Sequence, residues 1–348
     1  MTASHRPALS LLLLLACTLA SGLGCDRGDS AGPSATSAPA GASGGGGGGG
    51  GGEGMTKVSL QLNWKPEPQF GGFYAAKETG AYAKHKLDVD VVPGGIGTPT
   101  VQMVAAGRVP FAVVSADEVV LARSNGADVV ALFAAYQTNP QGLMTRAARG
   151  LKSVGDIFAQ PGTVAMQRGL PYAAFLERKF SFDKVKIVPS PGGDLSAFRS
   201  DPNYTMQCFV TSEPLAAKKA GLDAQAFLVA DAGYNPYTTV LVTRGDYLKS
   251  NAAVAASMVT AVTEGWSAYL ADSARTDAAM QKLNPTMDAQ TFADAAAAQK
   301  PLIESDDTRQ NRLGWMTPAR WEELCRQLVE LKMIDKAPPA AECFRNLR

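Results

Sequence analysis

The stretch Leu62-Asn63-Trp64-Lys65-Pro66-Glu67-Pro68-Gln69-Phe70-Gly71-Gly72-Phe73-Tyr74 decides how this chain folds. Leading into it, Val58, Leu60, Leu62 and Trp64 alternate with Ser59, Gln61 and Asn63, the period of a half-buried strand. Pro66 and Pro68 exclude regular pairing. Gly71 and Gly72 open a helix expected to run to about Lys86. Strand, short loop and helix begin an α/β sheet, and such sheets take ligands outside the carboxyl ends of their strands, beside helix N-termini. Asn63, Trp64, Gln69 and Phe70 are therefore expected at the mouth of a ligand crevice, with Tyr74 on the turn that follows. The plainer role for Trp64 and Phe70 is core packing.

The same alternation continues. Leu87 to Val92 reads as a second strand, Phe111 to Val114 as a third and Val129 to Ala135 as a fourth, with helices at Thr100 to Gly107 and from Ser115 to Asn125. Short loops between strands and helices argue a parallel sheet with right-handed crossovers. A second block begins near Gly150, with strands at 163–166, 185–189, 206–210, 227–229 and 239–243. From Tyr247 the pattern is helical: Val254 to Leu270, Asp288 to Ala298 and Thr317 to Leu331. A contiguous second block followed by a helical tail predicts one lobe inserted in another. Lobe 1 is expected over 56–144 plus 245–348 and lobe 2 over 145–244, with hinge crossings near 144–146 and 239–244.

The strand-end loops share a chemical character. They hold aromatics (Trp64, Phe70, Tyr136, Tyr172, Tyr234, Tyr237), amides (Asn63, Gln69, Gln137, Gln167) and carboxylates (Asp117, Glu118, Glu213), with Ser115 beside the acidic pair. Facing aromatics sandwich a flat ring. Carboxylates and amide oxygens accept from exocyclic amines and ring N–H, and an acceptor left dry without a donor is costly, so such a site discriminates for a donor-bearing heterocycle. The competing role for each carboxylate is a helix cap or first-turn charge. A sulfonate or phosphate would need cations, and these loops offer only Lys65 and Arg168.

The amino terminus has its own logic. His5 and Arg6 precede an apolar run from Ala8 to Ala20, which reads as a signal peptide over 1–24. Gly22-Leu23-Gly24-Cys25 resembles a bacterial lipobox, making Cys25 the expected site of lipidation and a membrane anchor without a transmembrane helix. Residues 25–55 are rich in Gly, Ser, Pro and Ala, with nine glycines from Gly44 to Gly52. As a coil of roughly 30 residues this linker reaches roughly 30 Å r.m.s..

Composition excludes several classes. The chain has 348 residues and carries 33 basic against 32 acidic residues, with no basic run interleaved with aromatics, so no nucleic-acid partner is expected. Only two His occur, and no Gly-x-Ser-x-Gly elbow, metal-binding His pair or Walker loop appears; neither metal nor cofactor is expected. Cys208 reads as a small buried side chain. Cys325 and Cys343 are candidates to pair in an oxidising compartment, a loop closure worth about 3 kcal/mol.

The run from Leu62 through Lys77, then Gly80-Ala81-Tyr82 and Leu87 to Val91, resembles one family: bacterial ABC-transporter solute-binding proteins for thiamine pyrimidine precursors, related to alkanesulfonate- and riboflavin-binding members. The resemblance covers about Lys57 to Phe344. It implies a type II periplasmic-binding-protein fold, α/β, two lobes each with a mainly parallel sheet flanked by helices, and a two-strand hinge. It further implies a monomer in the cell envelope that captures a small heterocycle and delivers it to a membrane permease coupled to an ATPase. Riboflavin or a sulfonate is the alternative cargo. A fungal branch of the same fold synthesises the thiamine pyrimidine; where it carries a Lys and a His, this chain has Val114 and Glu118, so fold and binding carry over and the synthase chemistry does not.

Overall fold

The computed structural model describes residues 54–347, so the expected signal segment, Cys25 and most of the glycine-rich linker lie outside the described residues. The chain runs β1 (Thr56–Gln61), α1 (Gly71–Glu78), α2 (Ala81–Lys84), β2 (Leu87–Val92), α3 (Thr100–Ala105), β3 (Phe111–Val114), α4 (Ala116–Ser124) and β4 (Val129–Tyr136). It continues with β5 (Gln141–Arg146), α5 (Val154–Ala159), β6 (Gly162–Ala165), α6 (Pro171–Lys179), β7 (Val185–Val188), α7 (Ser196–Ser200), β8 (Tyr204–Phe209), α8 (Glu213–Lys219), β9 (Ala224–Leu228) and β10 (Thr238–Arg244). The tail is helical: α9 (Gly245–Ser250), α10 (Ala252–Ala271), α11 (Ala274–Leu283), α12 (Ala289–Ile303), α13 (Asp306–Gln310), α14 (Pro318–Glu330) and α15 (Ala340–Cys343).

Two five-stranded sheets result, built on one plan. The first is ordered β2-β1-β3-β10-β4 and the second β7-β6-β8-β5-β9. In the first, β1 pairs in parallel with β2 and β3, while β10 runs antiparallel between β3 and β4. In the second, β6 pairs in parallel with β7 and β8, while β5 runs antiparallel between β8 and β9. Each antiparallel strand is the one that arrives from the other sheet. The two edge strands differ in cover: β2 alternates buried Leu87, Val89 and Val91 with exposed Asp88 and Asp90, whereas all eight residues of β4 are buried, its edge covered by the C-terminal segment through a bridge between Ala131 and Phe344.

The chain therefore passes between the sheets at 137–140 and 229–237. The crossings expected near 144–146 and 239–244 fall instead inside β5 and β10. Gly142 pairs with Cys208 on one side and Leu228 on the other, so this strand lies in the interior of the second sheet. The break in the chain is Asn139-Pro140, a pair that favours a turn.

The helix expected from Gly71 to Lys86 is two helices. Gly80 takes φ +77° between them, the left-handed conformation that ends a helix. Gly71 and Gly72 have a packing role: a side chain on either would run into Tyr269 or Trp266 of α10. Phe73 meets the Trp266 ring edge-on at 6.0 Å. Cys325 and Cys343, candidates to pair, are buried free cysteines in α14 and α15, the Cys343 thiol donating to the Pro339 carbonyl at 3.7 Å. Among the described residues, no helix is long and apolar enough to cross a membrane.

Candidate functional site

The carboxyl ends of β1, β3 and β4 in the first sheet meet loops that follow β8 and β9 in the second. Several contacts join them. Ala116 N–H donates to the Tyr237 carbonyl at 2.9 Å, and the Tyr234 hydroxyl donates to Asp117 Oδ2 at 3.1 Å. The Tyr136 hydroxyl lies against Thr211, and Glu67 feels the charge of Glu213. Residues from both halves of the chain thus line one region.

The loop after β1 is held by buried amides of the helical tail. Asn284 Nδ2 donates to the Pro66 carbonyl at 3.1 Å, and Gln299 Nε2 to the Pro68 carbonyl at 3.0 Å. Gln299 is fully buried, and its Oε1 accepts from the Tyr136 hydroxyl at 2.6 Å. Between the anchored prolines, Glu67 accepts from Trp64 Nε1 at 3.2 Å. Burial pushes its carboxyl up to about 7; the Trp64 bond opposes this and the Glu213 charge adds to it. Glu67, Asn284 and Gln299 escaped the sequence reading. Glu67 stands in the loop after β1 as an acidic residue between two prolines, and Gln299 is a polar residue in the alanine-rich α12; those are the only local marks they carry.

Three further carboxylates stand at strand ends. Ser115 caps α4 in a box with Glu118: its backbone N–H and hydroxyl donate to Glu118 Oε2 at 2.8 and 3.0 Å. Asp117 Oδ1 accepts from the Ser115 hydroxyl and from the Glu118 N–H at 3.0 Å. Glu213, at the start of α8, accepts from the Phe209 N–H at 2.8 Å. Burial raises the pKa of all three, in Asp117 against the hydrogen bonds it accepts. Among the described residues none of the four carboxylates has an Arg, Lys or His in ion-pair contact.

The other expected site residues separate into groups. Tyr172 and Gln167 gather around Gln207, which accepts from the Tyr172 hydroxyl and from the Gln167 N–H, the latter at 2.6 Å. Asn63, Trp64 and Gln69 are half-buried on the β1 loop. Phe70 and Tyr74 belong to the apolar core of the first sheet, Tyr74 toward Asp90. Gln137 ties the crossing, donating to the Ala134 and Trp315 carbonyls, each at 3.1 Å. Tyr237 accepts from the Thr317 N–H at 3.0 Å beneath the Arg320 guanidinium. Arg168 is exposed and bonded to Glu177 at 2.6 Å, which engages the cation an anionic ligand would need. A separate groove of about 250 Å³ lies at the opposite, amino end of the first sheet, lined by Lys57, Val58, Gly107, Pro110, Arg244 and Tyr247; Arg244 is paired with Asp246.

A family model described as NMT1/THI5 like matches residues 67–275. The chain is 22% identical over 309 residues to the formylaminopyrimidine-binding protein of Halalkalibacterium halodurans, an alignment covering 85% of this chain and 91% of that protein. It is 23% identical over 235 residues to the riboflavin-binding protein RibY of Chloroflexus aurantiacus, covering 64% of this chain and 61% of that one. Among solved structures, the periplasmic aliphatic sulphonate binding protein SsuA from Escherichia coli superposes with a TM-score of 0.63 at 13% identity, covering 84% of this chain and 93% of that one. The desulfurization enzyme DSZB superposes with a TM-score of 0.56 at 14% identity, covering 83% and 96%. These structural likenesses establish the two-sheet periplasmic-binding-protein fold.

Proposed function

The chain belongs to the NMT1/THI5-like family, and from that premise we propose that it is the solute-binding component of an ABC importer, carrying a thiamine pyrimidine precursor to a membrane permease. The observation that carries the reading is two sets of half-buried carboxylates where the sheets meet, Glu67 with Glu213 beside Trp64 and Tyr136, and Asp117 with Glu118 beside Tyr234, none of them with a paired cation among the described residues. Such a site accepts hydrogens from an amino-heterocycle and repels a sulfonate. The name of the formylaminopyrimidine-binding relative supports the same cargo. The two sheets act as lobes over 56–136 plus 238–348 and 141–228, and cargo contacts from both favour their closed arrangement.

The role is binding rather than catalysis. Val114 is fully buried in β3 and Glu118 closes the α4 capping box, so neither stands as a reactive group. The protein works as a monomer on the outer side of a membrane, held by lipid on Cys25 and the linker of residues 25–55. Thermal unfolding against aminopyrimidines, thiamine, riboflavin and alkanesulfonates tests the cargo. Binding to the native state at a hundredfold excess over Kd stabilises by about 2.7 kcal/mol, a shift of a few degrees. A shift with aminopyrimidines supports the reading; a shift with riboflavin or a sulfonate alone replaces the cargo.

A further inference from the structure

Glu67, like Glu213, makes one side-chain hydrogen bond, fewer than Asp117 or Glu118. Among the described residues its side chain has one hydrogen bond, from Trp64 Nε1 to Oε1 at 3.2 Å, which leaves Oε2 open. Its backbone is clamped on both sides: Asn284 holds the Pro66 carbonyl, Gln299 the Pro68 carbonyl, and the Glu67 carbonyl itself accepts from the Phe70 N–H at 2.8 Å. A carboxyl group on so restrained a loop, opposite Glu213 of the other sheet, is pre-organised to read a ligand edge.

We propose that Glu67 is the specificity-determining residue for the amino edge of the cargo: one oxygen accepts from the exocyclic amino group, and the other shares a single proton with the adjacent ring nitrogen. This rests on the solute-binding reading above and assigns it a residue and a protonation state. The proton balance is simple. Where Glu67 is protonated before binding, its O–H supplies the proton; where it is ionised, one proton enters from solvent with each ligand. The groups that face it are Glu213 from α8, Tyr136 from β4 and Lys65 from its own loop, while α11 and α12 present only the amides Asn284 and Gln299. The Glu67 carboxyl titrates at about 7, raised first by burial, so the change of regime falls near neutrality.

A glutamine at this position keeps one acceptor and one donor but does not titrate, and amides read the amino and ring-nitrogen edge of adenine in the same bidentate way. The test is calorimetric titration of the full-length chain with 4-aminopyrimidine from pH 6.5 to 9. For the wild type, Kd should rise by up to tenfold per pH unit above about 7, with uptake approaching one proton per ligand, read from buffers of different ionisation enthalpy. Glu67→Gln should bind with a Kd that is flat over this range. Glu67→Leu should weaken 4-aminopyrimidine at least tenfold at pH 6.5, and Glu213→Gln should move the wild-type break to lower pH. Identical pH profiles for wild type and Glu67→Gln would overturn the role of Glu67 while leaving the cargo reading intact. A wild type that binds riboflavin or an alkanesulfonate but not 4-aminopyrimidine would overturn both.

Discussion

At the scale of the residue, the half-buried carboxylates set a pH dependence with a definite sign. Glu67 titrates at about 7 against an ordinary value of 4.5. Its folded-state pKa is raised, so the stability it allows is complete below about pH 4.5 and is lost as pH rises through 7. At 1.36 kcal/mol per unit, ionisation costs the ligand-free protein at most about 3 kcal/mol. Glu67→Gln should therefore raise stability at pH 8 by up to that amount and change it little at pH 4, as read from urea unfolding at the two pH values. An equal effect at both would mean that the gain comes from something other than the charge. Asp117, Glu118 and Glu213 each follow a strand end, which is where the sequence places them. Glu67 lies in the stretch that decides the fold, yet its environment is built by Asn284 and Gln299, more than two hundred residues further along. No local pattern announces that contact.

At the scale of the element, most of the strands and the longer helices were legible, because period and turn residues act locally; α11 and the short α13 and α15 were not. β2, β3 and β4 stand where alternation and apolar runs place them. The second sheet's own antiparallel strand was not legible: β5 is buried on both sides, so its run from Gln141 to Arg146 shows no alternation, and its partners lie more than sixty residues away. The glycines show the same limit. Gly71 and Gly72 mark a helix start in sequence, but the reason for them is the close approach of α1 and α10, where a side chain on Gly265 would in turn strike the Gly72 carbonyl. Gly72→Ala should thus destabilise by about 1–3 kcal/mol through overpacking, although alanine alone favours helix by about 1 kcal/mol. Urea unfolding of this variant decides the matter: a net gain in stability would show that Trp266 can move aside freely.

At the scale of the whole molecule, the sheets communicate through a few contacts remote from the carboxylates, and one of them can be altered without touching cargo. Lys219, at the far end of the helix that begins with Glu213, pairs with Asp288, the residue that caps α12. The helix that presents Glu213 is thereby tied to the helix that carries Gln299. In a protein whose binding-competent arrangement is one of two, apparent Kd equals the intrinsic value divided by the competent fraction. Lys219→Glu sets like charges against each other at this contact, lowers the closed fraction and should raise apparent Kd several-fold at low salt. Both side chains are exposed, with 56% and 48% of their surface open, so the repulsion is screened. The Debye length falls from about 10 Å at 0.1 M salt to about 3 Å at 1 M, and the variant's Kd should converge on the wild-type value over that range. Titrations of both proteins at the two salt concentrations separate the possibilities: a gap that persists in 1 M salt would indicate damaged packing of α8, and no gap at either would mean that this ion pair does not bias closure.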